Sequence, residues 1–208
     1  YQYTSDDVGG GWSPICIQVT AVMKYDGSIW SNWVVSPLID EYYAGSIAFD
    51  NNGTPYITYS TSAGIFCNGM NDKILFIEKY DSNTNSWIQV GNYIGCVSSS
   101  SVSLPIAFDN SGTPYVAFQD TYDGSKATVM KYNGSSWVYV GHTGISDGRA
   151  SFLSLAIDNN GVPYVAYQDE TNSDKATVMK YNECNNNTDS FWVTSSGSYT
   201  ILVSDSSG

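Results

Sequence analysis

Leu155-Ala156-Ile157-Asp158-Asn159-Asn160-Gly161-Val162-Pro163-Tyr164-Val165-Ala166-Tyr167 reads as a single β-hairpin. Two short apolar runs, rich in β-branched and aromatic residues, flank an Asp-Asn-Asn-Gly tetrapeptide. Asn and Gly in that tetrapeptide tolerate the positive φ angles that a tight turn between strands requires. The pattern recurs at Ile47-Ala48-Phe49-Asp50-Asn51-Asn52-Gly53-Thr54-Pro55-Tyr56-Ile57 and at Ile106-Ala107-Phe108-Asp109-Asn110-Ser111-Gly112-Thr113-Pro114-Tyr115-Val116. A fourth copy is divided: Leu202-Val203-Ser204-Asp205-Ser206-Ser207-Gly208 carries its first half, and Tyr1-Gln2-Tyr3-Thr4-Ser5-Asp6 reads as its second. Tyr1, Tyr56, Tyr115 and Tyr164 hold equivalent places, a repeat of about fifty residues.

A second motif follows each hairpin: Thr20-Ala21-Val22-Met23-Lys24-Tyr25, Ile74-Leu75-Phe76-Ile77-Glu78-Lys79-Tyr80, Ala127-Thr128-Val129-Met130-Lys131-Tyr132 and Ala176-Thr177-Val178-Met179-Lys180-Tyr181. Each reads as a third strand. A turn such as Asn133-Gly134-Ser135 then leads to a fourth, opened by Trp30 or Trp33, Trp87, Trp137 or Trp192. A module is therefore four strands, a to d. One four-stranded sheet cannot bury both faces alone and must stack on neighbours, which is the logic of a propeller blade and not of a sandwich. The links from d to the next a are the longest, so they are expected to cross from one blade's outer edge to the next blade's centre, with strand a innermost.

The expected architecture is an all-β, four-bladed β-propeller of four-stranded antiparallel blades in one domain, residues 1–208. Blade 1 takes 1–36 plus 198–208, blade 2 45–91, blade 3 102–141 and blade 4 151–194. The C-terminal strand completes the first blade, in its own ring or in a neighbouring subunit, and so hides edges that would otherwise recruit other chains.

Apolar residues make up 42% and aromatic residues 14% of the 208, enough for a substantial core. The 17 tyrosines, set among Ser, Asn, Gly and Thr with only 13% charged residues, give the texture of a secreted β protein. Twenty acidic against eight basic residues leave a net charge of -12, which repels phosphate backbones and anionic headgroups. Nucleic acid is thereby excluded as a partner. No apolar run reaches the roughly 18 residues of a membrane helix, so no membrane insertion is expected. The chain opens on Tyr1 and not on Met, from which a processed or excised chain is expected. Four cysteines without metal-ligand spacing point to disulfides and an oxidising compartment, secreted or at the cell surface.

The Asp-Asn-x-Gly-x-Pro-Tyr hairpins and Ala-Thr-Val-Met-Lys-Tyr-Asn-Gly-Ser-Ser-Trp strands resemble the repeats of secreted microbial β-propeller proteins, a broad group beside the kelch and Asp-box propellers. The resemblance covers nearly the whole chain. It implies architecture and not activity, because propellers serve as lectins, enzymes, adhesins and scaffolds alike. The Asp-box pattern with Trp after the glycine turn is not matched, and no sialidase residues are carried over.

His142 is the one histidine and Arg149 the one arginine. No Gly-x-Ser-x-Gly elbow accompanies His142, so a nucleophilic triad is not supported. Two carboxyls for glycoside hydrolysis need a spatial separation of about 5 to 9 Å that a sequence does not display. Asp50, Asp109, Asp158 and Asp205 start the turns and are expected to cap their own backbone amides. The b–c and d–a loops share one side of the expected propeller and supply the candidate ligand-binding residues Trp12, Tyr42, Tyr43, Phe66, His142, Asp147 and Arg149. Aromatic plates beside carboxylates suit sugars.

Cys67 and Cys96 are expected to be bridged on that side. Cys16 and Cys184, on opposite sides, are expected to link successive subunits. Asn52, Asn133 and Asn186 are sequons in turns, hence candidate glycosylation sites. No cofactor is expected. Calcium is the one metal that the acid-rich loops at Asp120 with Asp123, and at Asp169-Glu170 with Asp174, leave open.

The functional expectation is a non-catalytic extracellular structural or adhesive subunit whose partner is itself, self-associating into a fibre by strand exchange and stacking. The alternatives are a lectin-like carbohydrate-binding propeller and a glycoside-acting enzyme.

Overall fold

The computed structural model describes residues 21–34, 43–62, 67, 72–97, 103–182 and 191–194. Within them the protein is all-β. Strands β1 (Ala21–Tyr25) and β2 (Trp30–Val34) form a hairpin, the described part of module 1. Module 2 is an antiparallel meander of β3 (Tyr43–Phe49), β4 (Pro55–Ser62), β5 (Lys73–Asp81) and β6 (Ser86–Gln89). A two-residue strand, β7 (Cys96–Val97), follows. Module 3 comprises β8 (Ile106–Phe108), β9 (Pro114–Asp120), β10 (Lys126–Tyr132) and β11 (Trp137–Tyr139). Module 4 comprises β12 (Ala150–Ile157), β13 (Pro163–Asp169), β14 (Lys175–Asn182) and β15 (Phe191–Thr194). The proposed inner strand 198–208 and the residues 1–20 lie outside the described residues.

The first hairpins of modules 2, 3 and 4 form for the reason their sequence suggests. Asp109 Oδ1 accepts the amides of Ser111 and Thr113, both at 2.9 Å, and Asp158 Oδ1 accepts those of Asn160 and Val162, both at 2.9 Å. Asp50 does the same for Asn52 and Thr54 at 2.9 and 2.8 Å. Each aspartate thus satisfies two turn donors that strand pairing leaves over. Pro55, Pro114 and Pro163 open their strands, the position where a missing N–H costs the ladder least.

The link from strand d to the next strand a departs from expectation. It does not leave the sheet at once. After β6, Val90 N donates to Ile77 O at 2.9 Å and Ile94 N to Leu75 O at 3.0 Å, and β7 then pairs with β5. After β11, Val140 N donates to Val129 O at 2.9 Å and Ile145 N to Ala127 O at 2.8 Å. The outer strand is therefore one long strand interrupted by a bulge, and the crossing starts later than the sequence suggested. Gly91 and Gly141 begin the two bulges with φ of 70° and 81°. A Cβ on Gly91 would lie 2.9 Å from the Tyr132 ring and one on Gly141 3.2 Å from the Tyr181 ring, so the next module packs where a side chain would stand. Tyr43, expected in a loop, is the first residue of β3.

Modules pack face to face. Leu75, Ile77 and Val90 of module 2 meet Val116, Phe118, Met130 and Trp137 of module 3 in one core. Ala117, Ala127, Val129 and Val140 of module 3 meet Val165, Tyr167, Met179 and Trp192 of module 4 in another. Strand β9 is buried along its whole length, because alternate side chains enter different cores. Strand β13 is buried only at alternate residues, and among the described residues no other module packs on its second face. At both joints an indole crosses the boundary: Trp137 Nε1 donates to Val90 O, and Trp192 Nε1 to Val140 O, each at 2.9 Å.

Candidate functional site: two equivalent clefts between modules

Strand register places a lysine across from a tyrosine at the turn end of modules 2, 3 and 4: Lys79 opposite Tyr56, Lys131 opposite Tyr115, Lys180 opposite Tyr164. Directly opposed residues share a sheet face, so each ammonium can lie over its ring. Lys131 Nζ is 6.0 Å from the Tyr115 ring centroid and Lys180 Nζ 5.5 Å from that of Tyr164.

Two of these pairs wall a cleft against the following module. Between modules 3 and 4, a cleft of about 500 Å³ is lined by Tyr115 and Lys131 on one side and by Asn159, Asn160, Tyr181 and Asn182 on the other. Between modules 2 and 3, one of about 530 Å³ is lined by Tyr56 and Lys79 facing Ser111, Thr113, Tyr132 and Asn133. The two correspond position by position, Tyr56 to Tyr115, Lys79 to Lys131, Tyr132 to Tyr181 and Asn133 to Asn182. Side-chain amides tie the neighbouring turns together: Asn51 Nδ2 donates to Asn110 O at 2.9 Å, and Asn110 Nδ2 to Asn159 O at 2.7 Å.

Burial, and then the charge of Asp50, push the Tyr56 phenol above its ordinary value. Its hydroxyl therefore stays protonated, able to donate and to accept. Among the lining residues Asp109 is the one carboxylate in either cleft, and its Oδ1 is taken by the turn amides. The clefts offer amides, hydroxyls, an ammonium and ring faces. They do not offer the two carboxyls of a glycoside hydrolase.

The expected ligand residues sit elsewhere. Trp12, Tyr42 and Phe66 lie outside the described residues, as do Cys16, Cys184 and Asn186. Of Tyr43 only the backbone is described. His142, Asp147 and Arg149 lie on the side away from the clefts. His142 Nδ1 is 2.5 Å from Thr143 O in its own loop. Arg149 Nε pairs with Glu170 Oε1 at 3.3 Å, both side chains largely exposed. Asp147 and Asp169 raise the Tyr167 phenol, after burial as the larger cause. These three residues thus spread along a loop layer.

Asp120 and Asp169, expected in acid-rich loops, turn inward. Asp120 accepts Tyr122 N at 3.0 Å, and Asp169 accepts Thr171 N at 3.0 Å and Thr177 Oγ1 at 3.1 Å, capping short 3-10 turns. Burial raises the Asp120 carboxyl, with the Tyr122 amide opposing. No group of three potential metal ligands occurs among the described residues. Cys67 and Cys96 form the expected disulfide, with Cα atoms 6.0 Å apart. Asn52 and Asn133 are exposed on the cleft side, and Asn133 Oδ1 accepts the amides of Ser135 and Ser136 at 3.0 and 2.9 Å. No helix among the described residues is long and apolar enough to cross a membrane.

Sequence reasoning passed over the cleft residues. The available signal is the Lys-Tyr dipeptide that ends each third strand.

No protein-family model matches the chain, and no curated protein matches its sequence. Among solved structures, a protein of unknown function from Dyadobacter fermentans DSM 18053 is similar at 13% identity with a TM-score of 0.55, over 84% of this chain and 51% of that one. A fucose lectin from Kordia zhangzhouensis, in complex with methyl-fucoside, aligns at 15% identity and a TM-score of 0.43, over 77% of this chain and 100% of that one. The GH93 α-L-arabinofuranosidase of Fusarium graminearum, in complex with arabinobiose, aligns at 12% identity and a TM-score of 0.43, over 83% of this chain and 52% of that one. The chain spans about half the length of the Dyadobacter and Fusarium proteins. The Dyadobacter likeness is one of fold.

Proposed function

We propose that this protein is a non-catalytic, carbohydrate-binding β-propeller, secreted or displayed at the cell surface, that holds saccharides in the clefts between successive blades. The observation that carries the proposal is the duplication of the cleft. A buried tyrosine, a lysine opposite it in the strand ladder, and a second tyrosine and an asparagine from the next module recur at two boundaries. The rings of the half-buried Tyr132 and Tyr181 would stack on the C–H side of a pyranose. Amides and an ammonium supply the donors and acceptors that a ring of hydroxyls takes up. A disulfide suits an oxidising compartment.

The architecture we propose is a ring of four blades in which residues 198–208 supply the inner strand of blade 1. A second reading, the structural or adhesive subunit that self-associates, is favoured by the exposed Ala176 and Val178 on one face of module 4.

The test is a glycan array followed by titration calorimetry on hits, with Tyr115→Ala/Lys131→Met in parallel. Binding that weakens about tenfold in the variant supports the proposal, a loss of about 1.4 kcal/mol. Absence of any saccharide binding at millimolar concentration, or full binding by a variant altered in both clefts, overturns it.

A further inference from the structure

Basic residues are few in this chain, and they repeat. Four of the eight, Lys24, Lys79, Lys131 and Lys180, hold the same place in successive repeats, just ahead of the tyrosine that ends the third strand. Three of them stand at the clefts. Lys131 and Lys180 line the cleft between modules 3 and 4, and Lys79 and Lys131 line the one between modules 2 and 3, in each case with Asp109 as the lining carboxylate. All three lysines are half-buried, and none makes an ion pair among the described residues. Asp109 Oδ1 is occupied by the amides of Ser111 and Thr113. The Val162 amide first, and Lys180 to a smaller extent, hold the nearby Asp158 carboxyl below its ordinary value. Lys180 is thus partly offset, whereas Lys131 serves both clefts.

The turn that follows each Lys-Tyr pair points the same way. It opens on Asp26 in module 1 and Asp81 in module 2, but on Asn133 in module 3 and Asn182 in module 4. Asp26 Oδ1 accepts the amides of Ser28 and Ile29 at 2.8 and 2.9 Å, and Asn133 Oδ1 accepts those of Ser135 and Ser136 at 3.0 and 2.9 Å. Either residue makes the turn, so turn chemistry does not call for asparagine. The two asparagines are the ones that line the clefts. A carboxylate in their place would have set a negative charge against the lysines of the facing module.

We infer that the clefts select acidic saccharides, with a carboxylate or sulfate group of the sugar held by Lys131 together with Lys79 in one cleft and Lys180 in the other. The inference rests on the proposed saccharide binding and names the class of sugar. Hydrogen bonds from an ammonium to an anionic oxygen are roughly twice as strong as those between neutral groups. Half-buried ammoniums between protein walls are screened by less water than surface ones, and such clefts focus the field on a bound anion. The net charge of -12 does not oppose this. At physiological salt a charge acts over about 8 Å, so a short oligosaccharide feels the lysines of its own cleft. A phosphate backbone or an anionic membrane would instead lie across the acidic surface.

The test is an array of acidic oligosaccharides, each beside its own neutral form: oligogalacturonate, oligomannuronate and hyaluronan fragments with their carboxyl-reduced counterparts, and a sulfated galactan fragment with its desulfated counterpart. Titration calorimetry then gives the ratio of affinities within each pair. At least one acidic member should bind about tenfold tighter than its neutral form, and the ratio should shrink as salt is raised to about 0.5 M. The carboxylate and sulfate arms identify which anion is read. Lys131→Gln should remove most of the ratio. Lys175→Gln should keep it, because that lysine pairs with Asp169 at the far end of its strand and its loss changes the net charge equally. Saccharides bound with no preference for the acidic member, or a preference that survives Lys79→Gln/Lys131→Gln/Lys180→Gln, overturn the inference and leave the proposed function standing. Binding of no saccharide, acidic or neutral, overturns both.

Discussion

The indole nitrogen of Trp192 lies 2.9 Å from the carbonyl oxygen of Val140, 52 residues earlier. Trp137 and Val90 stand in the same relation at the same distance, 47 residues apart. In both, a bulge that opens on glycine leaves the valine carbonyl unpaired in its own sheet, and the next module supplies the donor. Module 2 lacks the bond. Trp33 occupies the place of that valine, its ring centroid 5.7 Å from that of Trp87, and Trp87 Nε1 finds no acceptor among the described residues.

Trp192→Phe should leave the Val140 carbonyl buried without a donor and cost about 1 to 3 kcal/mol. Trp87→Phe loses no such bond and should cost less. Urea denaturation of the two variants compares them directly. Equal losses would mean that ring packing, and not the hydrogen bond, holds the joint.

Gly141→Ala should destabilise by about 1 to 2 kcal/mol through its positive φ alone, with a further cost because the new methyl meets the Tyr181 ring. Gly134→Ala has a φ of 96° but nothing within 4 Å of the added carbon. It should show only the backbone cost. Thermal melts of both variants, with about 2 to 4 °C per kcal/mol for a chain of this size, resolve the difference.

Glu78 stands where the other modules carry Met23, Met130 or Met179. It is buried, accepts from Tyr59 Oη at 2.9 Å through Oε1, and has no partner for Oε2. Burial raises its carboxyl above the ordinary 4.5, with the tyrosine hydrogen bond opposing. The folded state then binds this proton more tightly than the unfolded state. Its contribution is full below about pH 4.5 and falls as pH rises through the folded value. Glu78→Met should raise the melting temperature at pH 7 and flatten its dependence on pH above about 4.5. A variant that melts lower at pH 7 would show that the carboxylate is held charged.

Reducing the Cys67–Cys96 bridge frees a loop of 29 residues. Chain entropy puts the loss at up to about 3 to 4 kcal/mol. Melting with and without dithiothreitol, and of Cys67→Ser/Cys96→Ser under both conditions, should show one drop shared by reductant and substitution.

The hairpins were legible because their information is local. An aspartate two and four residues ahead of the amides it caps, and a proline that opens the following strand, act within one turn. The Cys67–Cys96 pair was legible through the repeat, which put both residues at the same end of one module. The clefts were not. Lys131 and Tyr115 become neighbours only through strand register, and Tyr181 joins them only when two modules stack. The loop-side residues His142 and Arg149 are rare types and Asp147 is a carboxylate in the same long loop, but neither rarity nor nearness in sequence brings side chains together.

By itself, then, the sequence determined the repeat, the strand order and turn chemistry of modules 2 to 4 and one disulfide, all of which follow from contacts short in sequence or from direct repetition. Tertiary structure alone decided where each outer strand bulges, which carbonyl each tryptophan reaches, that Glu78 is buried in a methionine's place, and that polar clefts open between modules. Those features depend on close approach between residues about fifty positions apart, and periodicity along a strand carries no record of what will be packed against it.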